Sequence, residues 1–187
     1  MAARTTVMYI PEAFAEHDAE QLDAFIRAHS FATLITSDGG VLNASHIPLL
    51  LEVEPGNGVL IGHVARANPQ WRNFDGAHEA LVVFQGPHAY ISPSWYQTEL
   101  SVPTWNYAAV HAHGYPRVVD DAVATRAILD ALVHRYEDGR EPPWSAGALP
   151  EDYFQTMARG IVAFTMPISR IEGKFKLSQN RERRDID

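Results

Sequence analysis

The sequence contains no cysteine, and this absence excludes several kinds of chemistry at once. Disulfide bonds, thiolate metal ligands and a cysteine nucleophile are all ruled out. Apolar stretches are also short, and none approaches the roughly 20 residues that span a bilayer. Because residues 1–14 lack the uninterrupted apolar segment of a signal peptide, we expect a cytoplasmic protein with no membrane partner.

Positive charge is scarce as well. The 187 residues carry 15 Lys and Arg against 23 Asp and Glu, which is a net charge of −8. This balance disfavours broad electrostatic attraction to nucleic acid or to an anionic membrane surface. Any contact with DNA would therefore have to be local.

Several widespread enzyme motifs are missing too. The chain contains no GxGxxG, GxxxxGK[ST] or GxSxG pattern, so dinucleotide-binding, P-loop and serine-hydrolase folds have no support. No side chain identifies itself as a general acid or base, and the sequence leaves open whether the protein is an enzyme. Without a domain-sized repeat or a low-complexity tract, residues 1–187 are treated as one folding unit.

Hydrophobic periodicity and turn signals predict a mainly β fold with peripheral helices. Asp18, with Gln21 three residues later, predicts a helix that ends near His29. A glycine-rich turn at 37–40 separates two strand-like segments and indicates a hairpin. The predicted strands are 31–36, 41–52, 59 to about 66, 79–86 (buried on both faces), 88–92, 104–119 and 160–173, with further helices at 120–137 and about 150–159. This order favours an antiparallel barrel with inserted helices over alternating strand–helix units.

The segment around Arg66 is the best candidate for an anion-binding site. An alternating apolar run ends at Ala65-Arg66-Ala67 and turns directly into Asn68-Pro69. Asn68 can cap exposed backbone N–H groups, and a proline loses nothing at the first helical position. Arg66 would then lie beside free donors and the positive end of a helix dipole, where a phosphate would bind. A solvated surface arginine is the alternative.

Two histidines are candidates for contacts to a ligand. His46 and His63 each lie near the end of an apolar stretch, and we expect their strands to be antiparallel neighbours. The imidazoles would then face one another across the barrel mouth and could donate to a ring carbonyl or to phosphate oxygens. A satisfied, partly buried polar pair is the alternative.

His111 and His113 form a second histidine pair. On a strand they point to the same face, because side-chain direction alternates. Two neutral imidazoles could hold zinc, or one could ligate haem. Since no carboxylate pair at ligand spacing joins them locally, we interpret them as a half-buried polar row beside Tyr107 and Ala109 and predict no metal site.

Four large aromatic residues lie in the short polar segment 92–107: Trp95, Tyr96, Trp105 and Tyr107. Exposed to water, they would leave a costly apolar surface. Packing within the loop or a dimer contact is the favoured cover, and a planar cofactor or substrate is the second.

The C-terminal segment 174–187 is basic within an acidic chain. Its five Lys and Arg side chains and three Asp and Glu side chains leave a local charge of +2. A solvated tail is the ordinary interpretation. The donors at 178–180 would also suit a phosphate, the backbone of a partner, or DNA.

A series of sequence blocks from Met8 to Arg181 resembles one known family. In order they are MYIPEAF, FATLIT, NASHIPLLLE, GHVARANPQW, FQGPHAYISPSWY, VPTWNY, HAHG and KFKLSQNR. Together they resemble the PaiB family of FMN-binding negative transcriptional regulators. The resemblance implies an antiparallel FMN-binding split β-barrel related to pyridoxamine phosphate oxidase. It also implies a homodimer with flavin between the subunits. Members of the family are described as repressors that affect protease production and sporulation in Bacillus-type bacteria, a role that the resemblance alone does not carry across.

The same resemblance implies which residues contact FMN. In the wider superfamily a basic residue just past the corresponding strand grips the FMN phosphate; here that residue is Arg66, followed by Asn68. The strands expected to edge the flavin groove carry Asn43, Ser45, His46 and His63. Lys174 and Lys176 match a family block of unassigned role and are included as candidates.

The resemblance leaves the biological role open between two readings. A transcriptional regulator is favoured, with a flavin- or haem-dependent oxidoreductase of the same superfamily as the alternative. The chain contains no recognisable helix-turn-helix, and its acidic charge gives DNA binding no support. A cofactor-binding fold does not settle the function attached to it.

Overall fold

The computed structural model describes residues 8–53, 56–98 and 100–186. These residues form nine strands, three α-helices and several short 3₁₀ helices. The strands are β1 Ala15–Glu16, β2 Phe31–Asp38, β3 Val41–Pro48, β4 Leu50–Glu52, β5 Val59–Ala65, β6 Ala80–Ile91, β7 Thr104–Gly114, β8 Arg117–Val118 and β9 Ile161–Lys176. The helices are α1 Ala19–Ala28, α2 Ala122–Glu137 and α3 Glu151–Ala158.

The strands pair antiparallel in the order β3-β2-β6-β7-β9-β5-β4, and β1 and β8 add to β9. The long strand β9 joins two parts of the sheet. Its first half, Ile161 to Pro167, pairs with β5, and its second half, Ile168 to Lys176, pairs with β7. The predicted antiparallel β fold with peripheral helices is confirmed.

The hydrophobic core lies on one face of the sheet. Fully buried side chains from several strands meet there: Leu34, Val82, Phe84, Val110, Phe164 and Met166. Burying a side chain of this size stabilises the fold by about 1.5–3 kcal/mol. On β6, buried Ala80, Val82 and Phe84 alternate with half-buried Leu81 and Val83. The prediction that this strand is buried on both faces is therefore wrong; its second face looks outward.

Three predicted strand boundaries also need correction. The predicted strand 41–52 divides at Leu49, whose N–H donates to the Ser30 carbonyl (2.9 Å) while its side chain enters the core. The chain thereby passes from β3, which pairs with β2, to β4, which pairs with β5. The predicted strand 104–119 ends at Gly114, and β8 is separate. The two predicted strands at 79–86 and 88–92 are instead one strand, β6, with an irregularity between Gln85 and His88.

The helices cover the sheet as their apolar periodicity indicates. The Asp18 carboxylate caps α1 by accepting from the backbone N–H groups of Glu20 and Gln21, and α1 buries Leu22 and Ile26. Helix α2 buries Ile128 and Leu132 against β5 and β9. Within the described ranges, none of the helices combines the length and apolar character that a bilayer crossing needs.

Candidate functional site

Arg66 lies where β5 ends beside the start of β9. Its backbone N–H donates to the Gly160 carbonyl (2.8 Å). Its guanidinium Nε donates to the Arg159 carbonyl and Nη2 to the Ile161 carbonyl, both at 2.8 Å. An arginine carries further N–H donors beyond these two. The side chain is exposed, so those donors face outward from a guanidinium that two carbonyls hold in place.

A cavity of about 200 Å³ adjoins Arg66, between the start of β9 and helices α2 and α3. Arg66 and Arg159 line it together with one acidic residue, Asp120. The lining charge is therefore positive on balance, which favours an anion. Because cofactor pockets are usually roughly 300–1,000 Å³, this cavity has room for one end of a flavin nucleotide rather than for the whole molecule.

Asn68 begins the expected helix, but that helix is short. The Asn68 side-chain carbonyl accepts from the Gln70 backbone N–H (3.0 Å), and Pro69 occupies the first position of a 3₁₀ helix, Pro69–Asn73. The predicted cap is confirmed. A single 3₁₀ turn aligns few peptide dipoles, so the expected dipole adds little to anion binding.

Asn68 and Ser45 contact each other. The Asn68 amide donates to the Ser45 hydroxyl oxygen (2.8 Å), which ties the turn after β5 to β3. Asn43 takes part through its backbone carbonyl, which accepts from the Gln70 side chain at 3.2 Å. These contacts position the turn that carries Arg66.

Gln70 is a residue that the sequence analysis missed. It is 2% exposed, and its amide nitrogen also donates to the Leu34 carbonyl at 3.1 Å. Its side-chain carbonyl has no hydrogen-bond partner among the described residues. A glutamine in a capped surface turn gives no sequence signal of burial, because only the packing of the turn against β2 and β3 places it inside.

His46 and His63 do not lie on paired strands. Strand β3 pairs with β2, whereas β5 pairs with β4 and β9, so the expectation that their strands are neighbours is wrong. His46 is exposed, and its Nδ1 lies 3.0 Å from the Thr33 hydroxyl. The two strands are separated because the chain changes partner strand at Leu49.

His63 is half-buried on β5. Burial lowers its pKa below the ordinary value of 6.5, so the imidazole is neutral at pH 7. Its Nδ1 atom is buried and has no partner within residues 8–53, 56–98 and 100–186. A buried nitrogen atom of this kind can form a hydrogen bond with a ligand or a water molecule.

Lys174 and Lys176 lie at the other end of β9. Lys174 is only 8% exposed; its Nζ donates to the Tyr9 carbonyl (2.8 Å) and lies 5.2 Å and 5.3 Å from the ring centroids of Tyr9 and Tyr107. The Lys176 ammonium group donates to the Trp105 carbonyl (2.7 Å) and to the Thr104 hydroxyl. Because Arg66 contacts the opposite end of β9, the lysines and Arg66 of one chain cannot grip the same phosphate.

The C-terminal segment is docked rather than freely solvated. The Asp185 carboxylate accepts from the Gln97 N–H (2.9 Å), the Thr98 N–H (3.2 Å) and the Thr98 hydroxyl (2.7 Å). These hydrogen bonds, the Thr98 side chain first, lower the pKa of Asp185. The Arg181 guanidinium lies 4.5 Å from the centroid of the Tyr96 ring. The tail thus covers part of the aromatic loop, but Trp95 and Trp105 remain 67% and 52% exposed.

The face of the sheet opposite the core is half-buried. We call it the outer face and define it by side chains that alternate with core residues along β2, β6, β7 and β9: Ile35, Leu81, Val83, Ala109, His111 and Glu172. Here the structure brings Glu172 to His111 and His113. No local signal in the sequence indicates Glu172, because this carboxylate lies 59 residues from His113 along the chain.

The architecture matches solved structures of flavin- and haem-binding split-barrel proteins. One is the FAD and heme binding protein of Mycobacterium smegmatis, with a TM-score of 0.66 and 18% identity over 87% of this chain and 73% of that one. Another is the flavocytochrome Anf3 of Azotobacter vinelandii, with a TM-score of 0.66 and 13% identity over 87% of this chain and 69% of that one. At such identities the likeness shows the fold, which is the split barrel.

Sequence comparison places the chain more narrowly. Residues 8–170 match the family described as "Putative FMN-binding domain". The chain is also 40% identical over 179 residues to "Protease synthase and sporulation protein PAI 2" of Bacillus subtilis (strain 168), covering 95% of this chain and 85% of that one. The chain belongs to this FMN-binding domain family, and the predicted PaiB resemblance is confirmed.

Proposed function

We propose that the protein is a homodimeric, cytoplasmic FMN-binding regulator of the PaiB type. The observation that carries the proposal is the family match over residues 8–170, together with the 40% identity to PAI 2 of Bacillus subtilis. The name of that relative refers to protease synthesis and sporulation. Control of gene expression is therefore the role we infer for this chain.

The phosphate of FMN would bind at the Arg66 cavity. Arg66 keeps donors available after contacting the two β9 carbonyls, and Arg159 adds a second positive charge to the lining. Asn68 and Ser45 would act as positioning residues, with the Asn43 carbonyl, by fixing the turn after β5. These features fit a phosphate monoester, which needs charge-assisted donors on one side and solvent on the other.

The flavin ring would extend from the cavity into a groove between two subunits. The buried, unpartnered Nδ1 of His63 supports a ligand near β5, and His46 offers an exposed imidazole on β3. Lys174 and Lys176 would lie near the flavin ring. They would not contact the FMN phosphate that Arg66 of the same chain binds. A bound flavin would supply a redox-active ring; the residues named here would hold and orient it.

Exposed aromatic surface supports the homodimer. Trp95, Trp105, Leu100 and Val102 are each more than half exposed on the β6–β7 hairpin and its loop. Contiguous apolar surface of this kind usually marks an interaction site. Sedimentation equilibrium should give twice the chain mass of 20.8 kDa, and a mass of one chain at micromolar concentration would contradict the dimer.

The phosphate site is tested by FMN titration of the Arg66→Ala variant. A hydrogen bond to a charged group contributes about 1.5–3 kcal/mol, so the FMN dissociation constant should rise roughly 10- to 100-fold. Arg72→Ala is the matched control, because Arg72 is an exposed arginine on the adjacent 3₁₀ helix and does not line the cavity. FMN affinity that is the same in Arg66→Ala and in the unchanged protein would remove Arg66 from the site.

The regulatory role is tested separately. Purified protein is incubated with fragmented genomic DNA, and retained fragments are sequenced with and without FMN. Recovery of a few discrete sites supports a repressor. Uniform recovery of fragments, or no recovery, would contradict DNA recognition. The net charge of −8 itself disfavours unspecific contact with DNA.

A flavin- or haem-dependent oxidoreductase is the second candidate. It is favoured by structural relatives that include a FAD and heme binding protein and a flavocytochrome. The visible spectrum of protein purified without added cofactor shows which prosthetic group is bound. Flavin bands support FMN, whereas a sharp Soret band supports haem with His111 or His113 as ligand. Neither spectrum distinguishes regulator from enzyme, which the DNA experiment does.

A further inference from the structure

The outer face holds a cluster of two imidazoles and one carboxylate that the proposed flavin site does not use. We propose that His111, His113 and Glu172 bind a divalent transition-metal ion, for which Zn²⁺ is the best match. The site is distinct from the Arg66 cavity, and the proposal does not depend on the flavin function.

The pairing of β7 with β9 creates the cluster. His111 and Glu172 are direct partners across the two antiparallel strands, and His113 lies two residues further on the same face of β7. One nitrogen of each histidine and one carboxylate oxygen lie within 4.8 Å of one another. His113 Nε2 is already 3.0 Å from Glu172 Oε2.

These distances suit a metal ion after a small side-chain adjustment. Zinc bonds to nitrogen of about 2.0–2.1 Å at tetrahedral angles place two donor atoms about 3.3 Å apart. The His113–Glu172 pair meets that spacing. The remaining donor atoms need to approach by about 1.5 Å at most, which rotation of the half-buried His111 side chain can supply.

The donor set selects the class of ion. Two imidazoles with one carboxylate are a known zinc set that leaves the fourth position open. Imidazole favours transition metals, whereas Mg²⁺ and Ca²⁺ favour oxygen ligands throughout.

Neighbouring groups hold the carboxylate in place. The Met8 backbone N–H donates to Glu172 Oε1 (3.3 Å), and Arg170 Nη1 lies 3.1 Å from Oε2. Such outer contacts orient a metal ligand. The positive charge of Arg170 also repels the metal ion and weakens its binding. We therefore expect an ion that chelators can remove.

The experiment uses the full-length protein after dialysis against a chelator. Co²⁺ is titrated first, because its visible absorption reports nitrogen ligation, and Zn²⁺ is then used to displace it. We expect saturation at one ion per chain, loss of the Co²⁺ bands on addition of Zn²⁺, and no displacement by excess Mg²⁺.

Variants locate the ion. His111→Ala and Glu172→Gln should each weaken Co²⁺ binding by more than the roughly tenfold loss typical of removing an outer-shell contact. His134→Ala is the matched control, since His134 is an exposed histidine on α2 whose Nδ1 lies 2.7 Å from the Asp130 carbonyl oxygen, away from the cluster. Circular dichroism establishes that each variant is folded.

Two results would overturn the proposal. One is the absence of saturable Co²⁺ or Zn²⁺ binding by the folded, unchanged protein. The other is equal binding by folded His111→Ala, folded Glu172→Gln and His134→Ala. In either case the cluster is a buried hydrogen-bonding network only.

Discussion

The two ends of β9 present polar groups in opposite ways. At its start, the exposed Arg66 side chain donates to backbone carbonyls beside an open cavity. Near its other end, His113 and Glu172 are nearly buried and contact each other from strands 59 residues apart in the chain. The first arrangement leaves charge available to an outside anion, whereas in the second the imidazole and the carboxylate are partners of each other.

The two sites also depend on different contacts within the fold. The Arg66 turn depends on the Asn68 cap, on hydrogen bonds to Ser45 and to the Asn43 carbonyl of β3, and on the carbonyls of residues 159–161 at the start of β9. The His111 cluster exists only while β7 and β9 keep their register. Changes that disturb β9 should therefore affect the two ends unequally, and three substitutions test this.

The largest expected effect is on the core beneath the start of β9. Phe164 is fully buried, and its ring lies 4.7 Å from that of Phe74. Phe164→Ala should destabilise the protein by about 3–5 kcal/mol, because it removes buried area and leaves a cavity. Urea unfolding followed by circular dichroism measures this.

Phe31 supplies the control for that substitution. It is 69% exposed, so Phe31→Ala should change the free energy of unfolding by less than about 0.5 kcal/mol. Equal losses in the two variants would show that the start of β9 is not the packed centre described here.

A smaller effect is expected where β7 turns away from β9. A Cβ added at Gly114 would lie 2.3 Å from the Pro167 carbonyl oxygen, and backbone cannot move aside without shifting β9. Gly114→Ala should therefore destabilise by about 1–3 kcal/mol. It should also weaken Co²⁺ binding at the neighbouring His113 more than FMN binding at Arg66.

Gly147→Ala is the matched control for Gly114. A Cβ there meets only the Ser145 hydroxyl oxygen at 3.4 Å, an ordinary contact. We expect its unfolding midpoint and ligand binding to be unchanged. If FMN binding suffers more than metal binding in Gly114→Ala, the proposed difference between the two ends of β9 is wrong.

The smallest effect concerns the tail that follows β9. Asp185→Ala removes the carboxylate that accepts from Gln97 and Thr98, so trypsin should cleave after Arg181 or Arg184 several-fold faster while global stability stays the same. Asp38→Ala, at an exposed acid on β2 outside the tail, should leave the cleavage rate unchanged. Equal cleavage of both variants would show that Asp185 does not dock the tail.

The same contact predicts a pH dependence. The pKa of Asp185 is lowered in the folded protein, so its contribution is complete above the unfolded value of about 3.9. It is lost as the pH falls through the lower, folded value. Pepsin, which is active in acid, should therefore release the tail faster at a pH below the folded pKa of Asp185 than at a pH above the unfolded value. In the Asp185→Ala variant this difference in release between the two pH values should disappear.

Local signals were sufficient for the elements and for one part of the candidate site. Helix caps and apolar periodicity act over a few residues, so they can be recognised in the sequence. The caps are Asp18 and Asn68, and the periodicity is that of α1 and α2. For the same reason the turn that carries Arg66 was placed correctly, although its helix proved to be a short 3₁₀ turn. The placement of Arg66 as a phosphate ligand stays a prediction.

Contacts between distant strands needed the folded structure. Which strands are neighbours depends on the whole sheet order, so the expectation that the strands of His46 and His63 are antiparallel neighbours was wrong. The burial of Gln70 and the approach of Glu172 to His111 follow from packing and register, neither of which is encoded within a single segment. Composition and local pattern set the antiparallel β character and the elements of this protein; the pairing of β9 with both β5 and β7 set which side chains share a site, because strand register joins residues that no local interaction brings together.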